Sequence, residues 1–364
     1  MLNLTGGGLS GGYRKYLQHV VPALCSHPGV SELIVVVPPG QQMYAGVAEN
    51  VWSWHTGEQW RGFPALRGRV REWKPDVVLI PTARYLNCGV PVVSMIRNME
   101  PMLPGTLRDG VAPWMKNLAG ARLAKHAAMR SQRVIAVSQF VRDFAVSRWN
   151  VDAECVGVVY HGVDATTSVD HITQTLQPLA SSPFLFVAGS LLPYRGVEDA
   201  IRALSLLSNS HRNVILAIAG SGSAKYAARL RALVEELKVA ARVVWLGQLN
   251  EHEMAWAYQH CAAFLMTSRV EACPNTALEA LANGALCIST DSPPMPEFFV
   301  DTARYFAPDD SPLLARHIAE CLTMSADVVA KCRSAARARA LSFSWEATVE
   351  GTVQQLKLAL RHTV

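Results

Sequence analysis

"AAFLMTSRVEACPNTALEALANGALCIST" (residues 262–290) contains a short apolar strand, a loop, a helix and a second apolar strand in one run. Residues 262–267 are almost wholly apolar, as expected of a strand buried on both faces. Pro274 suits a first helical turn, and the small and apolar residues after it reach Gly284, a natural stop. Residues 285–290 are apolar again. Strand, helix, strand in this order implies parallel pairing, because parallel neighbours need a crossover of a dozen or more residues.

The alternation extends in both directions. Upstream, strands are expected at 2–4, 33–37, 51–54, 76–80, 91–96, 133–138 and 155–160, with helices at 12–25, 61–73, 115–131 and 139–149. Strands at 184–189, 214–220, 242–247, 262–267, 285–290 and 303–307 restart the pattern, with helices at 196–208, 223–238, 250–260, 274–283 and 311–323. Between the halves lies "DATTSVDHITQTLQPLASSP" (164–183), polar and rich in Ser and Thr. The expectation is an α/β protein of two doubly wound domains, 1–165 and 184–342, joined by a linker at 166–183. Two domains suit 364 residues. Ligands of such sheets bind at the carboxyl ends of strands, and the default site is the cleft between the domains.

Composition narrows the partners. With 34 Lys and Arg against 29 Asp and Glu, the net charge is +5. The basic residues cluster mildly at Arg61, Arg67, Arg69, Arg71 and Lys74, and again at Lys116, Arg122, Lys125, Arg130 and Arg133. The plain reading is solvated helix faces; the sharper one is attraction to an anionic substrate or lipid headgroup. No aromatic-basic interleaving pattern accompanies these stretches, so nucleic acid is not an expected partner. Eight cysteines, none in a CxxC pair, read as reduced and mostly buried thiols in a cytoplasmic protein. No apolar run reaches the roughly 18 residues of a membrane span, and the amino terminus lacks the form of a signal peptide. The apolar positions of 115–133 are mostly Ala, so weak membrane docking is expected.

Three loops offer chemistry. "LNLTGGGLSGGYRKYL" satisfies GxGxxG through Gly6, Gly8 and Gly11, but the second strand ends in "VVVPPG" with no acidic residue for a ribose. A nicotinamide or flavin site is therefore rejected. The loop's physics remains, with Gly11 and Gly12 the closest backbone to a phosphate. "FLFVAGSLLPYRGVEDAIRAL" is again strand, loop, helix, with Ser190, Tyr194 and Arg195 in the loop. An Arg fixed there can neutralise a diphosphate bidentately. Gln248 and Leu249 are candidates for a nucleobase slot, while Asn250 and Glu253 have capping-box spacing.

In the opening stretch, Glu271 precedes the helix and Glu279 lies within it. Amides from Asn275 through Thr276 to Ala277 lie between them. Carboxylates accept hydrogen bonds from sugar hydroxyls, and a helix start accepts phosphate. A nucleotide sugar has a ribose, a diphosphate and a hexose to match. The plain alternatives are a helix-dipole carboxylate for Glu271 and an ordinary helix glutamate for Glu279.

These residues resemble the retaining glycosyltransferases of GT-B fold, glycosyl transferases group 1 (family four). The resemblance covers nearly the whole chain. It rests on Glu271-ACPNTAL-Glu279 followed by "EALANGALCISTDSPPMPEFF", and on "GGGLSGGYRKYL", "VIAVSQFVRDF", "VVYHGVD" and "GSLLPYRGVEDAIRAL". "FSWEATVEGTVQQLKLAL" resembles the terminal helix, which implies that 343–364 cross back onto the first domain. The resemblance implies that Glu271 holds donor-sugar hydroxyls near the anomeric carbon and Glu279 the ribose. Arg195 would stand for the family's phosphate-binding Lys. The backbone of Ala272, Cys273, Pro274 and Asn275 would line sugar and phosphate. Two departures stand out: Ser190 replaces a usual Arg, for which Arg269 is a candidate substitute, and "SMIRNMEP" replaces a frequent His, leaving Asn98 as the candidate sugar contact.

The implied reaction moves a sugar from a UDP- or GDP-type donor to a glycan, lipid-linked or small-molecule acceptor, without metal or other cofactor. The implied place is the cytoplasm, with at most peripheral contact at the inner membrane face. An epimerase of the same fold and a non-catalytic nucleotide-sugar-binding subunit are the alternatives. The oligomeric state, the donor sugar and the acceptor are not legible.

Overall fold

The computed structural model describes residues 1–2, 11–37, 50–53, 59–102, 111–164, 171–208 and 211–361. The side chains of 50–53, 59–64 and 111–113 are outside this description, as are expected strand residues 3, 4 and 54 and loop residues Gly6 and Gly8. Two compact units divide the chain: Met1–Gly162 with Ser344–Val364, and Val163–Phe343.

In the first unit, α1 (Gly11–Cys25) leads to β1 (Ile34–Val37), β2 (Asn50–Ser53), α2 (Gln59–Trp73), β3 (Val78–Ile80), β4 (Val92–Ile96), α3 (Val111–Arg130), β5 (Arg133–Ala136), α4 (Gln139–Trp149) and β6 (Val156–Val158). β1 and β2 pair in parallel, and β3-β4-β5-β6 form a second parallel sheet. Leu2 links the two. It bridges Val36 in parallel, and its amide donates to Leu79 O at 2.8 Å. The first segment of the chain therefore lies between β1 and β3, the central position of a doubly wound sheet. β3 and β4 are buried at every residue, so their sequences are runs of apolar residues without alternation.

The second unit continues with β7 (Phe184–Ala188), α5 (Val197–Leu206), β8 (Ile215–Ala219), α6 (Ala224–Glu236), β9 (Val243–Gly247), α7 (Glu251–His260), β10 (Ala263–Met266), α8 (Asn275–Ala282), β11 (Cys287–Thr290), α9 (Met295–Phe299), β12 (Ala303–Phe306), α10 (Ser311–Leu322) and α11 (Ala326–Ala340). Its six strands are parallel in the order β12-β11-β10-β7-β8-β9. Strand order reverses between β7 and β10, the topological switch point of such a sheet. One core packs Leu185, Leu216, Ile218 and Leu265 against α5 and α10; the other packs Phe186, Phe264 and Met266 against Tyr258 and α8.

Residues 171–183, expected as a linker, are built into this second unit. Leu176 and Leu179 are buried in its core, and Thr173 Oγ1 donates to Glu253 Oε1 at 2.8 Å. Leu176 and Leu179, with Ile172 packed partly against the same core, were enough to fold the segment down. α9 and α11 were not expected. α9 spans only five residues, and α11 buries only Ala336 and Ala340, so neither has a strong apolar stripe.

The last helix, α12 (Trp345–Arg361), packs on α1, β4 and β5 of the first unit. Its Gln355 accepts from buried Arg133 at 3.0 Å (Nε) and 2.7 Å (Nη2), and Arg133 Nη1 donates to Glu154 O. Thr348 Oγ1 donates to Tyr160 O at 2.8 Å. At the helix start the backbone approaches Gly162 so closely that an added Cβ would lie 2.3 Å from Trp345 N. Gly162→Ala is therefore expected to destabilise the protein by about 1–3 kcal/mol, as overpacking does, and a lower thermal melting midpoint with unchanged far-UV dichroism would show it.

Candidate functional site

The carboxyl ends of β7 and β10 meet at the switch point of the second unit. A small pocket opens there, lined by Ala188, Gly189, Ser190, Arg195, Thr267 and Ser268 among others. This is where a doubly wound sheet leaves room for a ligand, because its crossovers depart in opposite directions.

Arg195 ends a 3-10 turn, Pro193–Arg195, in the β7–α5 loop. Two bonds from the β10 loop fix this turn: Thr267 Oγ1 donates to Arg195 O at 2.6 Å, and Arg269 N donates to Tyr194 O at 2.8 Å. Gly189 makes room for the guanidinium. It adopts φ +132°, and a Cβ there would sit 3.3 Å from Arg195 Cζ. Arg195 Nη1 lies 2.5 Å from Glu271 Oε1 and donates to Ser268 Oγ at 3.4 Å. The Glu271 contact is electrostatic without hydrogen-bond geometry: Arg195 Nε and Glu271 Oε1 are both buried with no hydrogen-bond partner. Burial opposes the charge on Arg195, but Glu271 and Tyr194 outweigh it, and the net effect raises its pKa. The pair is thus a charged donor and a charged acceptor, each with unused bonding capacity at the pocket.

Arg269 does not stand in for the arginine missing at Ser190. Its Nη2 donates to Asp199 at 3.3 and 3.2 Å and to Asp309 Oδ1 at 2.6 Å. Asp199 is wholly buried, while Asp309 is exposed. Asp309 N also donates to Asp199 Oδ2 at 3.2 Å. Burial raises the Asp199 pKa, and the Arg269 charge works against that rise. Gly196, at φ +60°, has Arg269 Nη1 where its Cβ would be, only 1.9 Å away. Arg269 therefore ties the β10 loop to the start of α5. Ser190 is exposed, and its carbonyl accepts from Leu192 N at 2.9 Å.

No side chain caps the start of α8. The amides of Ala277 and Leu278 both donate to Pro274 O, at 2.9 and 3.2 Å, so Ala277 does not offer the free amide expected of it. Thr276 Oγ1 contacts Met266 Sδ at 3.7 Å, Ala272 and Pro274 are buried, and Cys273 and Asn275 are half-buried. Glu279 is half-buried, and Oε2 accepts from Tyr258 OH at 3.2 Å. Tyr258 is itself buried, so its pKa is raised by desolvation and further by Glu279, which keeps the phenol a donor. Leu249 packs partly against the core beside the observed Asn250–Glu253 capping box.

Two sequence profiles match the chain in tandem. Glycosyl transferases group 1 matches residues 170–339, and Glycosyltransferase Family 4 matches 15–167. The chain belongs to the glycosyl transferases group 1. It is 25% identical over 188 residues to an O-antigen chain mannosyltransferase of Salmonella typhimurium, an alignment spanning 52% of this chain and 50% of that protein. It is 25% identical over 306 residues to a glycogen synthase of Mycobacterium tuberculosis, spanning 81% and 71%. The fold is GT-B. A crystal structure of Anabaena HepE with UDP and glucose superposes with TM-score 0.79 at 20% identity over 98% of both chains. The glycosyltransferase WaaG, involved in lipopolysaccharide biosynthesis, superposes with TM-score 0.74 at 15% identity over 98% of both chains.

In this group 1 chain the structure gathers Arg195, Glu271, Ser190 and the start of α8 at one end of one sheet. Gly11, Gly12 and Asn98 belong to the first unit. Gly11 begins α1 with open space where a Cβ would be. Asn98 is exposed, and Oδ1 accepts from Glu100 N at 3.0 Å. The sequence reading missed Ser268, Asp199 and Tyr258. Tyr258 sits in an ordinary helix pattern, and only its tertiary contact with Glu279 distinguishes it.

Asp199→Asn is expected to lower stability by about 1–3 kcal/mol, the usual effect of weakening a buried charge-assisted pair, whereas Asp309→Asn should fall within about 0–1 kcal/mol for an exposed partner. Urea unfolding of the two variants measures the contrast.

Proposed function

We propose that the protein transfers a sugar from a nucleoside diphosphate sugar to an acceptor hydroxyl, with the anomeric configuration retained. The observation that supports this reading is the Arg195–Glu271 pair, held at the switch point with unmet bonding capacity on both members. When the anomeric C–O bond to the diphosphate breaks, negative charge grows on the departing phosphate and positive charge on the sugar. Arg195 is the fixed cation for the phosphate, and its network with Thr267, Tyr194 and Arg269 leaves little reorganisation to be done at that moment. Glu271 accepts from sugar hydroxyls, and its Oε1 is the acceptor without a hydrogen bond. Glu279, set by Tyr258, receives the ribose hydroxyls. The backbone of Ala272, Cys273, Pro274, Asn275 and Thr276 lines the sugar and diphosphate, with Leu249 beside the base. In this reading Arg195 supplies the charge that a metal would otherwise bring, so the reaction is metal-independent. Ser190 contributes no cation.

The acceptor is proposed to be a glycan, free or lipid-linked, in polysaccharide synthesis at the cytoplasmic membrane face. Among the described residues no helix is long and apolar enough to cross a membrane. α3, however, exposes Trp114, Met115, Leu118, Leu123 and Met129 among Lys116, Arg122, Lys125 and Arg130. Large apolar groups interleaved with cations suit an anionic interface, and more strongly than the alanine-rich sequence suggested. Co-sedimentation with phosphatidylglycerol vesicles, lost in 1 M salt or with Trp114→Ser/Met115→Ser, is the expected result.

Thermal shift against UDP, GDP, ADP and TDP tests the donor site. A diphosphate at ~100 times its dissociation constant adds about 2.7 kcal/mol of stability. One diphosphate is expected to stabilise the wild type, and Arg195→Ala and Glu279→Ala are each expected to lose most of that shift. UDP is the first to try, since HepE was crystallised with it. Release of nucleoside diphosphate only when acceptor is added separates a transferase from an epimerase. Binding without any release is the result that would sink the enzymatic reading.

A further inference from the structure

Arg97 follows the last residue of β4, at the carboxyl edge of the first unit's sheet. Its guanidinium lies against the Tyr13 ring, with Cζ 3.5 Å from the centroid. Nε donates to Pro81 O at 3.0 Å. Withdrawal from water lowers its pKa, and among the described residues the titratable neighbours that favour its charge are the phenols of Tyr13 and Tyr16. Those phenols are wholly buried, and desolvation raises both, so they are neutral and supply no counter-charge. Among the described residues no carboxylate pairs with Arg97. A half-buried guanidinium with no anion beside it among the described residues is costly, and a bound anion would offset that cost.

The surroundings select the partner's chemistry. Tyr13 covers one face of the guanidinium and Pro81 occupies Nε, leaving the two Nη edges for an in-plane ligand. Tyr13 is the third residue of α1, so the guanidinium stacks on a helix's first turn, whose amides lack intrahelical acceptors. Space is open above Gly11 at that turn. Thr82, next to Pro81, has a buried hydroxyl with no hydrogen-bond partner. Donors on Arg97 and on the helix turn together suit a group with three or more oxygens. A phosphoryl group has enough oxygens.

We propose that Arg97 is a phosphoryl-binding residue of the first unit, forking its Nη atoms onto phosphate oxygens while Tyr13 backs the guanidinium. It adds a phosphate contact that the Arg195 site does not include. It rests on the transfer reading only for the source of the phosphate, which is the donor's diphosphate or a phosphate on the acceptor.

The test uses the full chain as wild type, Arg97→Gln, Arg97→Lys and Arg195→Ala. Each is titrated calorimetrically with UDP, inorganic pyrophosphate and glycerol 3-phosphate, and melted without ligand. Arg97→Gln is expected to weaken at least one of these by roughly tenfold or more, the size of a lost charge-assisted bidentate contact, with an unchanged or higher ligand-free melting midpoint. Arg97→Lys should recover part of the affinity, since it keeps the charge without the fork. Loss confined to UDP and pyrophosphate assigns the donor's diphosphate; loss of glycerol 3-phosphate with UDP retained assigns an acceptor phosphate. Arg97→Gln binding all three as wild type does, or wild type binding none, overturns the proposal. So does a lowered melting midpoint with unchanged affinities, which makes Arg97 structural. If Arg195→Ala loses UDP while Arg97→Gln binds all three ligands as wild type does, this proposal fails and the transfer reading stands.

Discussion

The Arg269–Asp199 ion pair holds the second unit's site in place. Asp199 has no exposure, so its charge is tolerable only with Arg269 against it. Asp199 lies in the first turn of α5 and Arg269 in the β10 loop, 70 positions apart in the chain. Their pairing draws the β10 loop onto the start of α5. Thr267 and the Arg269 amide then close on the 3-10 turn from the same side. The result is that Arg195 and Glu271, brought by separate strands, meet at 2.5 Å. Gly196 is required because the guanidinium occupies the place of its Cβ.

The first unit is organised by a different constraint. Its sheet is completed by the chain's own first segment, between β1 and β3, and covered by its last helix. Buried Arg133 has its donors taken up by Gln355 and by the Glu154 carbonyl, so α12 satisfies a cation that the sheet edge would otherwise leave alone. Arg97, just past the end of β4, donates from Nε to Pro81 O and has no carboxylate partner among the described residues. Buried Arg133 is used for architecture, while half-buried Arg97 is the residue proposed to bind a ligand.

Much of the fold was legible because buried parallel strands must be short apolar runs, and helices between them must follow a 3.6-residue period. α4 was expected at 139–149 and is found at Gln139–Trp149. α11 escaped because two buried alanines make no stripe. Residues 171–183 escaped because Leu176 and Leu179 are too few to outweigh polar neighbours in a composition reading, yet enough to anchor a loop.

The sequence by itself determined the α/β class, the tandem of parallel sheets, the family, and the presence of Glu271 and Arg195 in loops that such sheets reserve for ligands, with Glu279 in the helix that follows. Those follow from local pattern and spacing. Only the tertiary structure decided that Arg195 and Glu271 face one another, that Arg269 serves Asp199 and not the pocket, and that Tyr258 orients Glu279. These are contacts between residues far apart in the chain. Burial, which sets the cost of an unpaired charge, exists only once the layers have packed.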